Sequence, residues 1–375
     1  MKNDTFKLPE IIPGKKIKLG KRYKWPYILL SVLLMLAVAV GGFSYFIKQN
    51  FTYNYNEIEK EPEALGFEEV KDDRIINIAL FGVDTRSAES FSGRSDAIMI
   101  LSVNTGTGKI KLISVMRDSF VPIEKKGNTS YSKINSAYAT GGPELAIKTL
   151  NTIFDLDISE YVTVNFFKLA DIIDLIGGIE VELTEGEIDM VNGGAREVCY
   201  ALGKKYEGET ITSAGLQHLN GAQAVGYARI RYAANIEGTN NDYGRTDRQR
   251  YVMEQMFKKA LSMKKTEYAK LVKPILKSCE TSLVYSEVIQ VALGVLTDNP
   301  VFEETRIPQT EFLMAAPKTG AGSVVYYDLN FAAKLIHSFI YQDISPEKYI
   351  EQNGIEKNNW YANGFVAPKI EDKVE

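Results

Sequence analysis

The stretch IINIALFGVDTRSAESFSGRSDAIMILSVNTGTGKIKLISVMRDS, residues 75–119, decides how the rest of the chain is read. IINIALF at 75–81, AIMILSV at 97–103 and IKLISVM at 110–116 are apolar runs too short for helices, so each reads as a buried strand. Only NTGTGK, residues 104–109, separates the second from the third, and a short Gly/Asn/Thr turn joins antiparallel neighbours. If the three strands alternate up, down, up, the end of the first, the start of the second and the end of the third share one edge of the sheet. Asp84 and Arg86 follow the first run, Arg94 and Asp96 precede the second, and Arg117 and Asp118 follow the third. A lone Asp or Arg after a strand is usually a turn or surface residue. Recurrence at three strand ends points instead to a site, because ligands of open α/β sheets bind outside the strand ends.

Further along, PELAIKTLNTIF at 143–154 has helical spacing and YVTVNFF at 161–167 reads as a strand. LADIIDLIGG then reads as a helix closed by Gly177 and Gly178, and IEVEL at 179–183 as the next strand. Together they predict a βαβ unit whose two strands are parallel and joined by a right-handed crossover. Residues 185–213 read as a loop-rich excursion. LNGAQAVGYAR is a helix with Asn220 near its start, and residues 245–263 form a long amphipathic helix. ETRIP, the strand SVVYYDL and the helix NFAAKLIHSFIY complete the pattern. Helices interleaved with a mixed sheet predict an α/β class protein, a three-layer α/β/α domain over residues 75–342.

What precedes that domain sets its address. With 375 residues, 45% of them apolar and 25% charged, the chain has a globular composition, which excludes a disordered, collagenous or disulfide-stapled chain. The net charge of −4 is unevenly spread: residues 1–24 hold eight Lys/Arg against two acids, and the remainder carries 36 basic against 46 acidic residues. Directly after the basic tail, Pro26–Ile47 is a run of 22 uncharged residues. As a helix it is about 33 Å long, enough to cross a bilayer core of about 30 Å. A signal peptide would have a shorter apolar run and a small-residue cleavage site; Lys48, Gln49, Asn50 and Phe51 are not one. Residues 1–24 are therefore expected in the cytoplasm, 25–47 in the membrane, 48–74 as an acidic extracellular stalk, and 343–375 as a polar tail. Two cysteines, Cys199 and Cys279, and two histidines, His218 and His337, make a zinc site improbable. No basic stripe interleaved with aromatics suggests nucleic acid.

A second charged set, Arg229, Arg231, Asp242, Arg245, Asp247, Arg248 and Arg250, falls within 22 residues. Arg245 and Arg248 stand i, i+3 near a helix start, where the dipole favours anions and gives a cation no stability, so they read as functional. Arginine forks grip phosphate bidentately, and carboxylates without histidine partners suit Mg²⁺ or Mn²⁺. Both sets together describe a site for a metal-bound polyphosphate.

FGVDTR (81–86), GRSDAIMI (93–100), SVMRDS (114–119), KINSAY (133–138), Gly141–Gly142, IGGIEV (176–181), LNGAQAVGYARIR (219–231) and DYGRTDRQR (242–250) together resemble the LytR-CpsA-Psr family. The resemblance covers roughly residues 75–263 and weakens toward 342. It implies a phosphotransferase that moves an anionic glycopolymer, of teichoic acid or capsular polysaccharide type, from undecaprenyl pyrophosphate to a peptidoglycan hydroxyl. It implies Asp84 and Asp96 as metal ligands and Arg86, Arg94, Arg117, Arg229, Arg231, Arg245 and Arg248 as pyrophosphate contacts. Arg117, Asp118, Arg231 and Asp242 are then the catalytic candidates; for attack by a sugar hydroxyl, an Asp such as Asp242 is a candidate base. The partners are a polyprenyl-pyrophosphate-linked glycopolymer, peptidoglycan and the membrane. Met116 stands where the family usually has proline. Alternatives are a membrane-bound attenuator of transcription, a non-catalytic glycan-binding protein, or a hydrolase of the lipid pyrophosphate.

Overall fold

The computed structural model describes residues 53–85, 87–295 and 301–355. The basic tail at 1–24, the apolar run at 25–47 and Arg86 lie outside the described residues, as does the side chain of Asp242. Among the described residues no helix is long and apolar enough to cross a membrane.

In chain order the elements begin with β1 (Asn54–Tyr55), α1 (Pro62–Leu65), β2 (Ile75–Val83), β3 (Ser95–Asn104), β4 (Lys109–Val115), β5 (Phe120–Lys125), β6 (Asn128–Lys133) and α2 (Asn135–Phe154). They continue with β7 (Glu160–Asn165), α3 (Phe166–Leu175), β8 (Ile179–Leu183), α4 (Ile188–Ala201), β9 (Gly215–Leu219), α5 (Gly221–Ala228) and α6 (Asn241–Ser262). Last come α7 (Lys265–Lys277), β10 (Glu280–Thr281), α8 (Tyr285–Val295), β11 (Val301–Ile307), α9 (Leu329–Gln342) and α10 (Pro346–Gln352).

One seven-stranded mixed sheet has the order β1-β10-β7-β2-β3-β4-β11. As the sequence implies, β2, β3 and β4 are successive antiparallel neighbours, while β7 runs parallel to β2 and β11 parallel to β4. Alternation along the strands then divides two apolar layers. Ala79, Phe81, Ile98, Ile100, Ile113 and Val115 face α2 and α9 in one core. Ile78, Met99, Leu101, Val103, Ile110 and Leu112 face Met253, Phe257 and Leu261 of α6 and Val288 and Val291 of α8 in the other. The result is the expected three layers.

Several expectations need correction. β7 stops at Asn165, whose side chain accepts from Lys168 N at 2.8 Å and starts α3, so Phe166 and Phe167 are helical. β8 does not join the main sheet: it pairs antiparallel with β9 in a separate two-stranded sheet, so β7, α3 and β8 do not form the expected parallel βαβ unit. Residues 188–201 of the supposed loop excursion are a helix, α4. SVVYYDL makes only isolated bridges, Ser119 with Val325 and Met314 with Tyr326. The supposed stalk belongs to the domain from Tyr53 on, since β1 pairs with β10 and Ile58 and Leu65 are buried in the α2 core. The supposed polar tail likewise contains α10, capped by Ser345 and anchored by buried Ile350. In both segments these buried apolar residues stand among charges with no period, though Ile58, Leu65 and Ile350 each fill a place in the core. Cys199 and Cys279 are free thiols.

Candidate active site at the sheet edge

Val83 at the end of β2 pairs with Ser95 at the start of β3 and with Asn165 at the end of β7. Val115 at the end of β4 pairs with Ile98 and with Ile307 at the end of β11. One edge of the sheet thus carries Asp84, Asp96, Arg117 and Asp118, as the alternation of strands predicts. The loop from Asp84 to Arg94 is folded back and pinned. Asn165 Nδ2 donates to the carbonyls of Ala88 (2.8 Å) and Ser90 (3.0 Å), Tyr138 Oη lies 3.1 Å from the Phe91 carbonyl, and Lys168 pairs with Glu89 at 2.8 Å. At the loop's return Gly93 has φ 136°, where a side chain would be strained, and a Cβ there would stand 3.2 Å from the Asp84 carbonyl. The glycine closes the loop so that its two ends meet.

Asp96 is the hub of this edge. Its Oδ2 receives Arg117 Nη1 at 2.7 Å and lies 3.8 Å from Arg245 Nη1, and the three side chains are 14%, 14% and 5% exposed. Arg117 comes from the end of β4 and Arg245 from the first turns of α6, so the two motif groups that the sequence separates by more than a hundred residues meet on one carboxylate. Asp118 holds Arg117 from the other side, with Oδ2 3.5 Å from Nε, and its Oδ1 lies 2.8 Å from Lys133 Nζ at the end of β6. The charges alternate along this chain: Lys133, Asp118, Arg117, Asp96, Arg245. Such an array holds guanidiniums in fixed orientation without neutralising all of them.

Arg229 is exposed and its guanidinium lies 5.5 Å from the Phe166 ring centre. It follows α5, whose start is capped by Asn220 as the sequence predicts. Arg231 is half-buried, and its carbonyl accepts from Asn241 N at 2.7 Å at the head of α6. Asp84 and Arg94 are exposed at the same edge. Arg248 is the exception among the expected phosphate contacts. It is fully buried, with Nε 2.6 Å from Glu187 Oε1, and donates to the carbonyls of Ile230 at 3.3 Å and Ala233 at 2.7 Å. A helix-start arginine can escape the unfavourable dipole by pairing inward as well as by binding substrate, and here it pairs inward.

Two residues were missed by the sequence reading. Lys133 stands in the quoted KINSAY motif but was assigned no role. Gln249 lies one turn after Arg245 on the same face of α6; it is buried, and its amide Nε2 has no hydrogen-bond partner among the described residues. The i, i+4 spacing from Arg245 was the available signal. As a metal site the edge offers only hard oxygens: Asp84 and Asp96 are adjacent strand-end carboxylates, and no cluster of three or more His, Cys, Asp or Glu forms among the described residues. That donor set fits a Mg²⁺ that keeps several waters and completes its shell with substrate phosphate oxygens.

A profile of the LytR_cpsA_psr family matches residues 42–332. The chain belongs to the LytR-CpsA-Psr family. A protein of Bacillus cereus named polyisoprenyl-teichoic acid–peptidoglycan teichoic acid transferase TagU is 28% identical over 287 residues, covering 75% of this chain and 86% of that one. Biofilm regulatory protein A of Streptococcus mutans is 30% identical over 294 residues, 74% of this chain and 67% of its own. Among solved structures, the LytR-CPS2A-psr family protein YwtF (TagT) with bound octaprenyl pyrophosphate lipid shares the fold, with a TM-score of 0.50 and 20% identity over 75% of this chain and 97% of that one. The matched span contains both charged groups that meet on Asp96.

Proposed function

We propose that this LytR-CpsA-Psr chain is a membrane-anchored phosphotransferase that moves an anionic glycopolymer from a polyprenyl-pyrophosphate carrier to a peptidoglycan hydroxyl. The observation that carries the reading is the meeting of Arg117 and Arg245 on Asp96 at a sheet edge that also presents Asp84 and Arg94. The name of the Bacillus cereus relative and the lipid bound to YwtF support the same class of donor and acceptor.

In this reading the acceptor oxygen attacks the phosphorus that bears the polymer. The bond from that phosphorus to the bridging oxygen breaks, and the lipid leaves as its monophosphate. Arg117, Arg245, Arg229 and Arg231 hold the non-bridging oxygens of the pyrophosphate, so charge that builds on them meets fixed donors. Gln249 adds a neutral donor beside Arg245. Asp242 takes the proton of the attacking hydroxyl. Asp84 and Asp96 would hold Mg²⁺, which supplies electrostatic stabilisation of the leaving phosphate when bound.

The test uses the full-length chain in detergent with an undecaprenyl-pyrophosphate-linked oligosaccharide, a peptidoglycan oligomer and Mg²⁺. Sugar covalently joined to the oligomer, lost in EDTA and regained with Mg²⁺, is the expected result. Release of phosphorylated sugar without coupling would identify a hydrolase, and no turnover of the carrier would leave the binding or regulatory roles. The regulatory name of the Streptococcus mutans relative favours a second reading, as an attenuator.

A further inference from the structure

From the buried charges beside the site we infer that Glu187 and Arg248 are positioning residues, a clamp that sets the segment carrying Arg231 against α6. Both side chains are wholly enclosed, at 0% exposure each. The Arg248 fork reaches across the segment: Nη1 donates to the Ile230 carbonyl and Nη2 to the Ala233 carbonyl, at 3.3 and 2.7 Å, one residue before and two residues after Arg231. Glu187 is fixed in turn, because its second oxygen accepts from Thr184 N at 2.9 Å and lies 3.1 Å from Thr184 Oγ1. That hydroxyl is also 3.1 Å from the Ala234 carbonyl, so Thr184, Glu187 and Arg248 all bear on residues 230–234. The Arg231 carbonyl receives Asn241 N at 2.7 Å, which ties the segment to the head of α6. Gly244 makes room for the arrangement: a Cβ there would stand 2.7 Å from the Thr239 carbonyl and 3.0 Å from Arg248 Nη1.

The arrangement goes beyond packing. A buried ion pair is a poor source of stability compared with apolar residues of the same volume, so its retention calls for another use, such as specifying one arrangement. Here three contacts of the clamp, from the two terminal nitrogens of Arg248 and the Thr184 hydroxyl, end on backbone carbonyls of the segment that presents Arg231. A planar fork fixes two carbonyls at once in a set orientation, which a flexible ammonium does less well. Arg248 thus acts on the phosphate only through Arg231. The inference rests on the phosphate-holding role proposed for Arg231.

The experiment is a double-mutant cycle on the full-length chain, reading kcat/KM for the lipid-linked donor together with Tm. The variants are Arg248→Lys, Glu187→Gln and Thr184→Val, each alone and combined with Arg231→Ala. With Arg231 present, Arg248→Lys and Glu187→Gln are expected to lower transfer by about 10- to 100-fold, since small misplacements of a site group cost that much. With Arg231→Ala they should lower it less than about twofold, because the group they position is gone. Their effect on Tm should be the same in both backgrounds. Thr184→Val removes one tie without leaving a buried charge, so it carries the same test if the charge variants do not fold; its expected loss is about threefold, only with Arg231 present. Equal fold-losses in the two backgrounds would overturn the clamp, and so would full activity of all three single variants. Glu187→Gln separates the clamp from direct contact: if Arg248 bound phosphate, removing its carboxylate would raise affinity for the donor. Full activity of Arg231→Ala alone would instead overturn the phosphate reading of Arg231.

Discussion

Arg117 makes the strongest single-residue case for function, because it is held from two sides and still points along the sheet edge. Asp96 takes one Nη at 2.7 Å and Asp118 lies 3.5 Å from Nε, so the guanidinium plane is set by two carboxylates of one edge. Lysine has one ammonium and cannot satisfy both while facing a phosphate. Arg117→Lys is therefore expected to lower transfer by about 10- to 150-fold, the worth of one charge-assisted contact of roughly 1.5–3 kcal/mol. The suitable control is Arg74→Lys, since Arg74 is 70% exposed and pairs only with neighbouring Asp72 among the described contacts; it should change Tm and rate within noise. Arg306, though also outside the motifs, is a poor control, for its Nη1 lies 2.5 Å from buried Asp247. Near-normal transfer by Arg117→Lys would remove the main support for the edge as a phosphate site.

Among the elements, α4 shows where a local reading fails and why. Its Gly193–Gly194 pair looks like a turn, yet Gly194 is where α4 crosses α5: a Cβ there would stand 2.6 Å from Gly226 Cα, and a Cβ on Gly226 would meet Ala195 N at 2.9 Å. Gly226→Ala must push two helix backbones apart and is expected to cost about 1–3 kcal/mol, read as a lower Tm; unchanged melting would show that the contact yields easily. Glycine chosen for close approach and glycine chosen for a turn look alike in one sequence. Hence the three central strands and their antiparallel order were legible, fixed by unbroken apolar runs and a short turn, while α4 and the partner of β8 were not. The gathering of Asp84, Asp96, Arg117 and Asp118 at one edge was legible for the same reason, since strand ends fix neighbours, whereas the arrival of Arg245 on Asp96 was not. The inward turn of Arg248 was hidden because its partner, Glu187, lies 61 residues away in a segment read as loop. The seam between α6 and β11 also carries a pH response. Burial pushes the Glu304 carboxyl up to about 7, against the pull of Arg250, whose Nε is 3.3 Å away. A carboxyl whose folded pKa exceeds its unfolded value stabilises fully below the unfolded value and loses that contribution as pH rises through the folded one. Stability should therefore fall between about pH 4.5 and pH 7, and Glu304→Gln should flatten that fall in a Tm-against-pH series. An equally steep decline in the variant would place its origin elsewhere.

At the scale of the whole molecule, the chain's charge predicts its orientation. Eight Lys/Arg against two acids in residues 1–24, then 22 uncharged residues, then an acidic remainder of 36 basic and 46 acidic groups, is the partition expected when the first segment stays in the cytoplasm. Basic residues beside a span resist translocation, whereas long domains cross largely regardless of their charge. The proposed chemistry requires the same orientation, because peptidoglycan lies outside the membrane and the sheet edge must meet it there. Neither thiol is in a disulfide, and burial pushes Cys279 up to about 12, so it stays protonated and unreactive in an oxidising compartment. Spheroplasts of cells carrying the chain with a tag before Met1 offer the measurement. Added protease should remove the domain that begins by Tyr53 while the tag stays protected until the membrane is opened with detergent. A domain protected in intact spheroplasts, or a tag cut before lysis, would reverse the orientation and separate the site from its proposed acceptor.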